Sequence, residues 1–159
     1  MGSRSKTHTA YIAGFLDGDG SLMLQIKKRS DTKRGVRFMA TICLYQDSRH
    51  EEPLHWIQEV FGIGYLSRRS DGISELRING YKQVLSILET LQPFIRFKKE
   101  QAEALIEACR ILQSNPIQKL STKQLKRVVD LAFKIKKENY KSHSSQTKEA
   151  VYESLGLTP

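Results

Sequence analysis

The stretch that most constrains this chain is Ala10-Tyr11-Ile12-Ala13-Gly14-Phe15-Leu16-Asp17-Gly18-Asp19-Gly20-Ser21. An apolar helical run rich in small residues ends abruptly in two carboxylates separated by a glycine. Ala10, Gly14 and Gly18 recur at i, i+4 and i+8, so they share one helix face. A face that small lets two helix backbones approach closely, the steric logic of small-xxx-small packing. The acids fall where the helix stops, the end that carries partial negative charge, and an acid there costs about 0.3–1 kcal/mol. A bound cation would offset that cost, because exposed carbonyls and a carboxylate both suit a hard metal. A calcium loop is excluded: counted from Asp17, the positions that should hold Gly and Glu hold Leu22 and Lys28. The plainer competitor is an apolar helix closed by a glycine cap and an Asp-Gly turn.

The bulk composition narrows the partner. The 159 residues suffice for one domain with a proper core, and the expected organisation is a single domain over 1–159. A net charge of +9 points to a polyanion. Lys27, Lys28, Arg29, Lys33, Arg34 and Arg37 crowd into eleven residues opposed only by Asp31. Arg96, Lys98 and Lys99 form a second group, and a third runs from Lys123 to Lys141. A charge run is often only a solvated face, but the first group alternates along strand-like segments. There is no apolar run near 18 residues and no signal-peptide core, so no membrane span or secretion is expected. Cys43 and Cys109 read as buried free thiols in a reducing intracellular compartment, an organelle or a prokaryotic cytoplasm.

Periodicity orders the chain. Thr7 to Gly18 reads as a helix. Ser21 to Arg29 and Val36 to Gln46 read as strands around a charged turn. Ser48-Arg49-His50-Glu51 has capping-box spacing and is expected to open a helix that ends at Gly62. Ile63 to Arg69 and Ile73 to Ile78 read as a hairpin around Ser70-Asp71-Gly72. Helices follow over Tyr81 to Leu91, Arg96 to Leu112 and about 122 to 138. A polar link and a short last helix complete the chain. The fold class is therefore α+β, in the order αββαββα: a four-stranded antiparallel sheet with one wet basic face and one helix-covered face, plus C-terminal helices. The core spans about 7–112 and the helical extension about 113–159. No internal repeat is present, and the acidic motif occurs once.

The decapeptide Tyr11 to Gly20 resembles the motif of the LAGLIDADG homing endonucleases, and the element order is similar to that family's core. The resemblance implies a curved sheet forming a DNA-binding saddle and paired motif helices at a subunit interface. With one motif per chain it implies a homodimer, carrying about +18 (2 × 9). Interface residues would be Ala10, Tyr11, Ala13, Gly14, Asp17 and Gly18. Asp19 would bind the catalytic metal, with the Gly18 carbonyl as a second ligand; Asp17 would sit nearer the helix packing. Mg²⁺ is the implied cofactor, with Mn²⁺ substituting and Ca²⁺ binding without cleavage. Metal-assisted hydrolysis of both DNA strands would follow, as in two-metal nucleases.

Two more residues join by the same resemblance. Gln46 interrupts the apolar parity of its strand and would order water near the metal. Lys98, in Pro93-Phe94-Ile95-Arg96-Phe97-Lys98, would stabilise charge or adjust the nucleophilic water. The family's additional arginine could be met by Arg49 or His50. Strand parity assigns DNA contacts to Gln25, Lys27, Arg29, Arg37, Thr41, Cys43 and Tyr45 on the first hairpin. It assigns Ser67, Arg69, Glu75 and Arg77 on the second, with Asp31 and Thr32 at the first hairpin's tip. A two-stranded ribbon fits the major groove. Lys141, Ser142 and Ser145 would touch phosphates. The target would be a pseudo-palindrome of about 20 base pairs. The alternatives are an RNA-binding intron maturase and a non-cutting DNA-binding regulator on the same fold.

Overall fold

The computed structural model describes residues 5–139 and 146–158. Helix α1 (Lys6–Asp19) starts at Ser5, whose side chain accepts the His8 amide at 3.2 Å. Strands β1 (Gly20–Lys28) and β2 (Val36–Asp47) form the first hairpin. Helix α2 (Glu52–Phe61) leads to a second hairpin of β3 (Tyr65–Arg68) and β4 (Ile73–Asn79). Four further helices are described: α3 (Tyr81–Leu91), α4 (Lys99–Ser114), α5 (Thr122–Glu138) and α6 (Lys148–Ser154). The sheet is antiparallel throughout in the order β1-β2-β4-β3, so the long strands β2 and β4 form its centre.

The period-2 pattern sets the two faces. Leu22, Leu24, Phe38, Ala40, Ile42, Leu44, Leu76 and Ile78 are buried and meet the helices. Ile12, Ala13 and Leu16 of α1, Leu54 and Ile57 of α2 and Val84, Ile87 and Leu88 of α3 close the core from that side. Burying one such side chain is worth about 1.5–3 kcal/mol, so this single layer dominates the fold's stability. Helix α5 packs on α4 and on β1, and the Asn139 side chain donates to the Leu22 carbonyl at 2.9 Å. The outer edge of β1 is thereby tied to α5 at Leu22. No helix among the described residues is long and apolar enough to cross a membrane.

Three boundaries differ from the periodicity reading, each for an identifiable reason. Strand β3 starts at Tyr65 rather than Ile63 because Gly62 and Gly64 take left-handed backbone, with φ of 67° and 105°. Helix α4 starts at Lys99 rather than Arg96, since the amides of Arg96 and Lys98 are bonded to a distant carboxylate instead of a helical turn. The expected capping box at Ser48 is not formed. Ser48–His50 is a single 3₁₀ turn capped by Asp47, and Glu51 turns to other partners. A genuine capping box, Ser121 with Gln124, opens α5 as its spacing predicts.

Gly20 joins α1 to β1 at close quarters: a Cβ there would lie 2.5 Å from Leu16 Cδ1 and 2.8 Å from the Leu16 carbonyl oxygen. Gly20→Ala should therefore destabilise the chain by about 1–3 kcal/mol, read as a lower urea midpoint at unchanged slope.

Candidate active site

The C-terminal end of α1 is held from across the chain. The Asp17 carboxylate accepts the Arg96 amide at 2.7 Å and the Lys98 amide at 3.0 Å. The Asp17 carbonyl accepts the Lys98 ammonium at 2.5 Å. A helix end leaves its last carbonyls unpaired; here the Leu16 carbonyl takes the Gly20 amide and that of Asp17 takes the lysine. Asp17 is thus half-buried and engaged with the segment before α4, which gives it a role the sequence did not suggest. Burial pushes the Lys98 ammonium below its usual pKa, while Asp17 and Asp19 pull it back up.

Asp19, the last residue of α1, is exposed beside this clamp. No group of three or more His, Cys, Asp or Glu side chains that could hold a metal occurs among the described residues. One chain thus offers the Asp19 carboxylate and the neighbouring Gly18 carbonyl. That set fits Mg²⁺, which keeps waters and phosphate oxygens and needs few protein ligands.

The register places Gln46 near the same end. Gly20 pairs with Leu44, so β2 continues past the end of α1 through Tyr45 to Gln46. Gln46 is half-buried and its side-chain oxygen accepts the Asp47 amide at 2.8 Å. Arg49 is tied to Asp47 through its amide at 2.9 Å and its guanidinium at 3.0 and 2.8 Å. These bonds hold the Asp47 carboxyl far below the usual carboxylate range. His50, the other candidate beside Gln46, is exposed.

The helix stripe divides. Ala10, Tyr11, Gly14 and Gly18 face solvent in the single chain, Tyr11 with 62% of its surface exposed. A Cβ placed on Gly14 or Gly18 would meet nothing within 4 Å. Ala13 corrects the interface assignment: it is fully buried in the chain's own core, three residues round the helix from Ala10. Phe97, which the sequence reading passed over, is 88% exposed next to the clamp.

The polar face of the sheet shows the expected parity. Ser21, Cys43 and Arg77 form one cross-strand row, with Tyr65 beside Arg77 on β3. Tyr45, Glu75 and Ser67 form another, Gln25 sits opposite Met39, and Lys27 sits opposite Arg37. Like charges directly opposite destabilise a sheet unless an anion lies across them. Two assignments to this face need correction: Thr41 and Cys43 are fully buried. Thr41 donates to Asn79 at 2.7 Å, and the Cys43 thiol lies 3.9 Å from Glu75, so neither presents a group to a groove. Glu75 in turn pairs with Arg77 at 3.0 Å. At the hairpin tips Arg29 grips Asp31 through two bonds of 2.7 and 2.6 Å, which lowers that carboxyl to about 2, and Arg69 pairs with Asp71 at 2.6 Å. Lys141, Ser142 and Ser145 lie outside the described residues.

Glu51, also unforeseen, accepts two hydrogen bonds from Arg68 Nε and one from Arg68 Nη2, and a fourth from the Ser74 hydroxyl. The Arg68 bonds and then the Ser74 bond lower its carboxyl from 4.5 to about 2. A carboxyl depressed on folding stabilises above its unfolded pKa and loses that contribution as pH falls through the folded value. The stability gap between wild type and Glu51→Gln should therefore be full above about pH 4.5 and close toward pH 2, in denaturation curves taken across that range.

Comparison with known proteins accords with this geometry. Residues 12–109 match the family model described as LAGLIDADG endonuclease. The DNA endonuclease I-CvuI of Chlorella vulgaris is 30% identical over 103 residues, which are 65% of this chain and 64% of that protein. The DNA endonuclease I-CreI of Chlamydomonas reinhardtii is 29% identical over 154 residues, 95% of this chain and 92% of that protein. A crystal structure of I-CvuI in complex with the I-CreI target in 2 mM Mg superposes with a TM-score of 0.86 at 27% identity, covering 95% of this chain and 94% of that one. The archaeal intron-encoded I-Vdi141I complexed with DNA shares the fold, with a TM-score of 0.83 at 24% identity over 94% and 95% of the two chains.

Proposed function

The chain belongs to the LAGLIDADG endonuclease family, and we propose that it acts as a homodimeric, Mg²⁺-dependent, site-specific DNA endonuclease. One observation carries the reading. A helix face with open space at both glycines ends in an exposed aspartate that belongs to no group of three or more metal-ligating side chains among the described residues. Glycine inside a helix costs about 0.5–1 kcal/mol relative to alanine, and nothing within the chain repays it at Gly14 or Gly18. A second copy of the same face would. Two-fold pairing of Ala10, Gly14 and Gly18 across the axis brings the two Asp19 carboxylates together at one end of the helix pair.

In that arrangement Asp19 and the Gly18 carbonyl of each copy hold the cation. Divalent ions there supply charge neutralisation at the phosphate and a water of lowered pKa. Lys98, fixed through its amide and ammonium to Asp17, sits where developing negative charge needs an ion partner. Gln46, at the end of β2, orients water near the metal. Gln25, Lys27, Arg37, Tyr45, Ser67, Arg69, Glu75 and Arg77 face the duplex. The Lys27–Arg37 row, unfavourable alone, is satisfied by phosphates. Arg69 and Arg77 favour guanine, Gln25 favours adenine and Glu75 an amino group of cytosine.

Two outcomes test this. Asp19→Asn should abolish cleavage of DNA selected from a randomised library while leaving binding within about threefold in a gel-shift titration; wild-type cleavage by that variant overturns the assignment. Gly14→Leu should leave the folded monomer intact, since a side chain there meets open space, yet shift the sedimentation coefficient from dimer to monomer. A variant that stays dimeric removes the helix pairing.

A further inference from the structure

The Glu51 carboxylate is 9% exposed and all its partners lie on the second hairpin, save His55 at 3.8 Å on its own helix. Arg68 at the end of β3 grips it at 3.0 and 2.5 Å, and buried Ser74 on β4 donates to it. A second tie lies beside the first. Ser48 shares a 2.8 Å hydrogen bond with Ser74, and the Ser48 amide donates to the Gly72 carbonyl at 2.9 Å. The turn from Asp47 to Glu51 is therefore bonded at several points to the hairpin that presents Ser67, Arg69, Glu75 and Arg77. Gln46 immediately precedes that turn and is the register partner of Ser74.

We propose that Glu51 is a positioning residue that couples base recognition by the second hairpin to the placement of Gln46 at the cleavage centre. The inference rests on the endonuclease reading. A carboxylate that satisfies several donors at once has one arrangement that pairs them all, and displacing the largely exposed Arg68 leaves the buried Glu51 carboxylate short of its charged partner. A hairpin seated on the wrong base sequence would shift Arg68 and Ser74 together. The 47–51 turn must follow or lose these bonds, and Gln46 moves with it. A mismatch at the groove thereby becomes a slower cut rather than only a weaker grip.

The experiment begins with wild-type protein and a randomised duplex library, which yields its preferred DNA and the base pairs it discriminates. Single-turnover cleavage rates and dissociation constants are then measured for wild type, Glu51→Gln, Arg68→Met, the double variant and Ser48→Ala. Glu51→Gln should cut the preferred duplex about tenfold or more slowly, as lost outer partners of a site typically do, while its dissociation constant changes by less than about threefold. Its rate should also respond less than wild type to a changed base pair beneath the second hairpin. The double variant should be no slower than the worse single variant, as members of one network behave. Ser48→Ala, which removes a single neutral bond, should move the rate the same way by a smaller factor and decides the matter if Glu51→Gln does not fold. Wild-type rate and discrimination in these variants, or effects that simply add, overturn the coupling. A wild-type protein that cuts nothing in the library overturns the endonuclease reading itself, and the coupling with it.

Discussion

The candidate site depends on one carboxylate, both of whose oxygens accept backbone amides. Asp17 takes two backbone amides from residues 96 and 98, about eighty positions away in sequence, while its carbonyl holds the Lys98 ammonium. These bonds fix the exit of α1 against the entry of α4. They explain why α4 begins three residues later than its apolar periodicity suggests. They also put a cationic side chain beside a helix terminus of negative character, the electrostatically favourable end for it. Without the clamp, Asp19 would lie on a frayed helix end.

The sheet divides its labour cleanly between faces. One face is an apolar layer that supplies the folding energy, and the other is polar, basic and open. The open face is not uniformly available. Thr41 and Cys43 lie beneath it, and several of its arginines are already paired with acids one or two positions away, as in Arg29–Asp31, Arg69–Asp71 and Arg77–Glu75. The two exposed pairs at the hairpin tips, Arg29–Asp31 and Arg69–Asp71, are worth little in stability, whereas Arg77–Glu75 is mostly buried. Their consequence is orientation: each guanidinium is held in one direction, with donors left over.

Local patterns were readable from the sequence and distant ones were not. The αββαββα order, the strand parity and the Ser121 cap follow from neighbours within a few residues. Apart from the β3 start, set by Gly62 and Gly64 beside it, the failures involve partners far along the chain. Ser48 and Glu51 have the spacing of a capping box, but the Glu51 carboxylate takes the Arg68 guanidinium and the Ser48 amide donates to the Gly72 carbonyl instead. Ala13 and Ala10 are equally small, and only the packing of α1 on β2 and α3 decides which is covered. Phe97, passed over in the sequence, is exposed in the segment whose flanking amides, Arg96 and Lys98, are bonded to Asp17. The family resemblance added what no spacing rule could: an expectation of which of the two motif acids would bind metal.

The Asn139 side chain on the Leu22 carbonyl has an effect beyond holding α5 in place. An uncovered outer strand is a template on which foreign chains add and fibres grow. With Asn139 bonded at Leu22, α5 packed on β1, and β3 only four residues long, each margin of the sheet presents less unsatisfied backbone for such growth. Strand addition is thereby disfavoured at both margins.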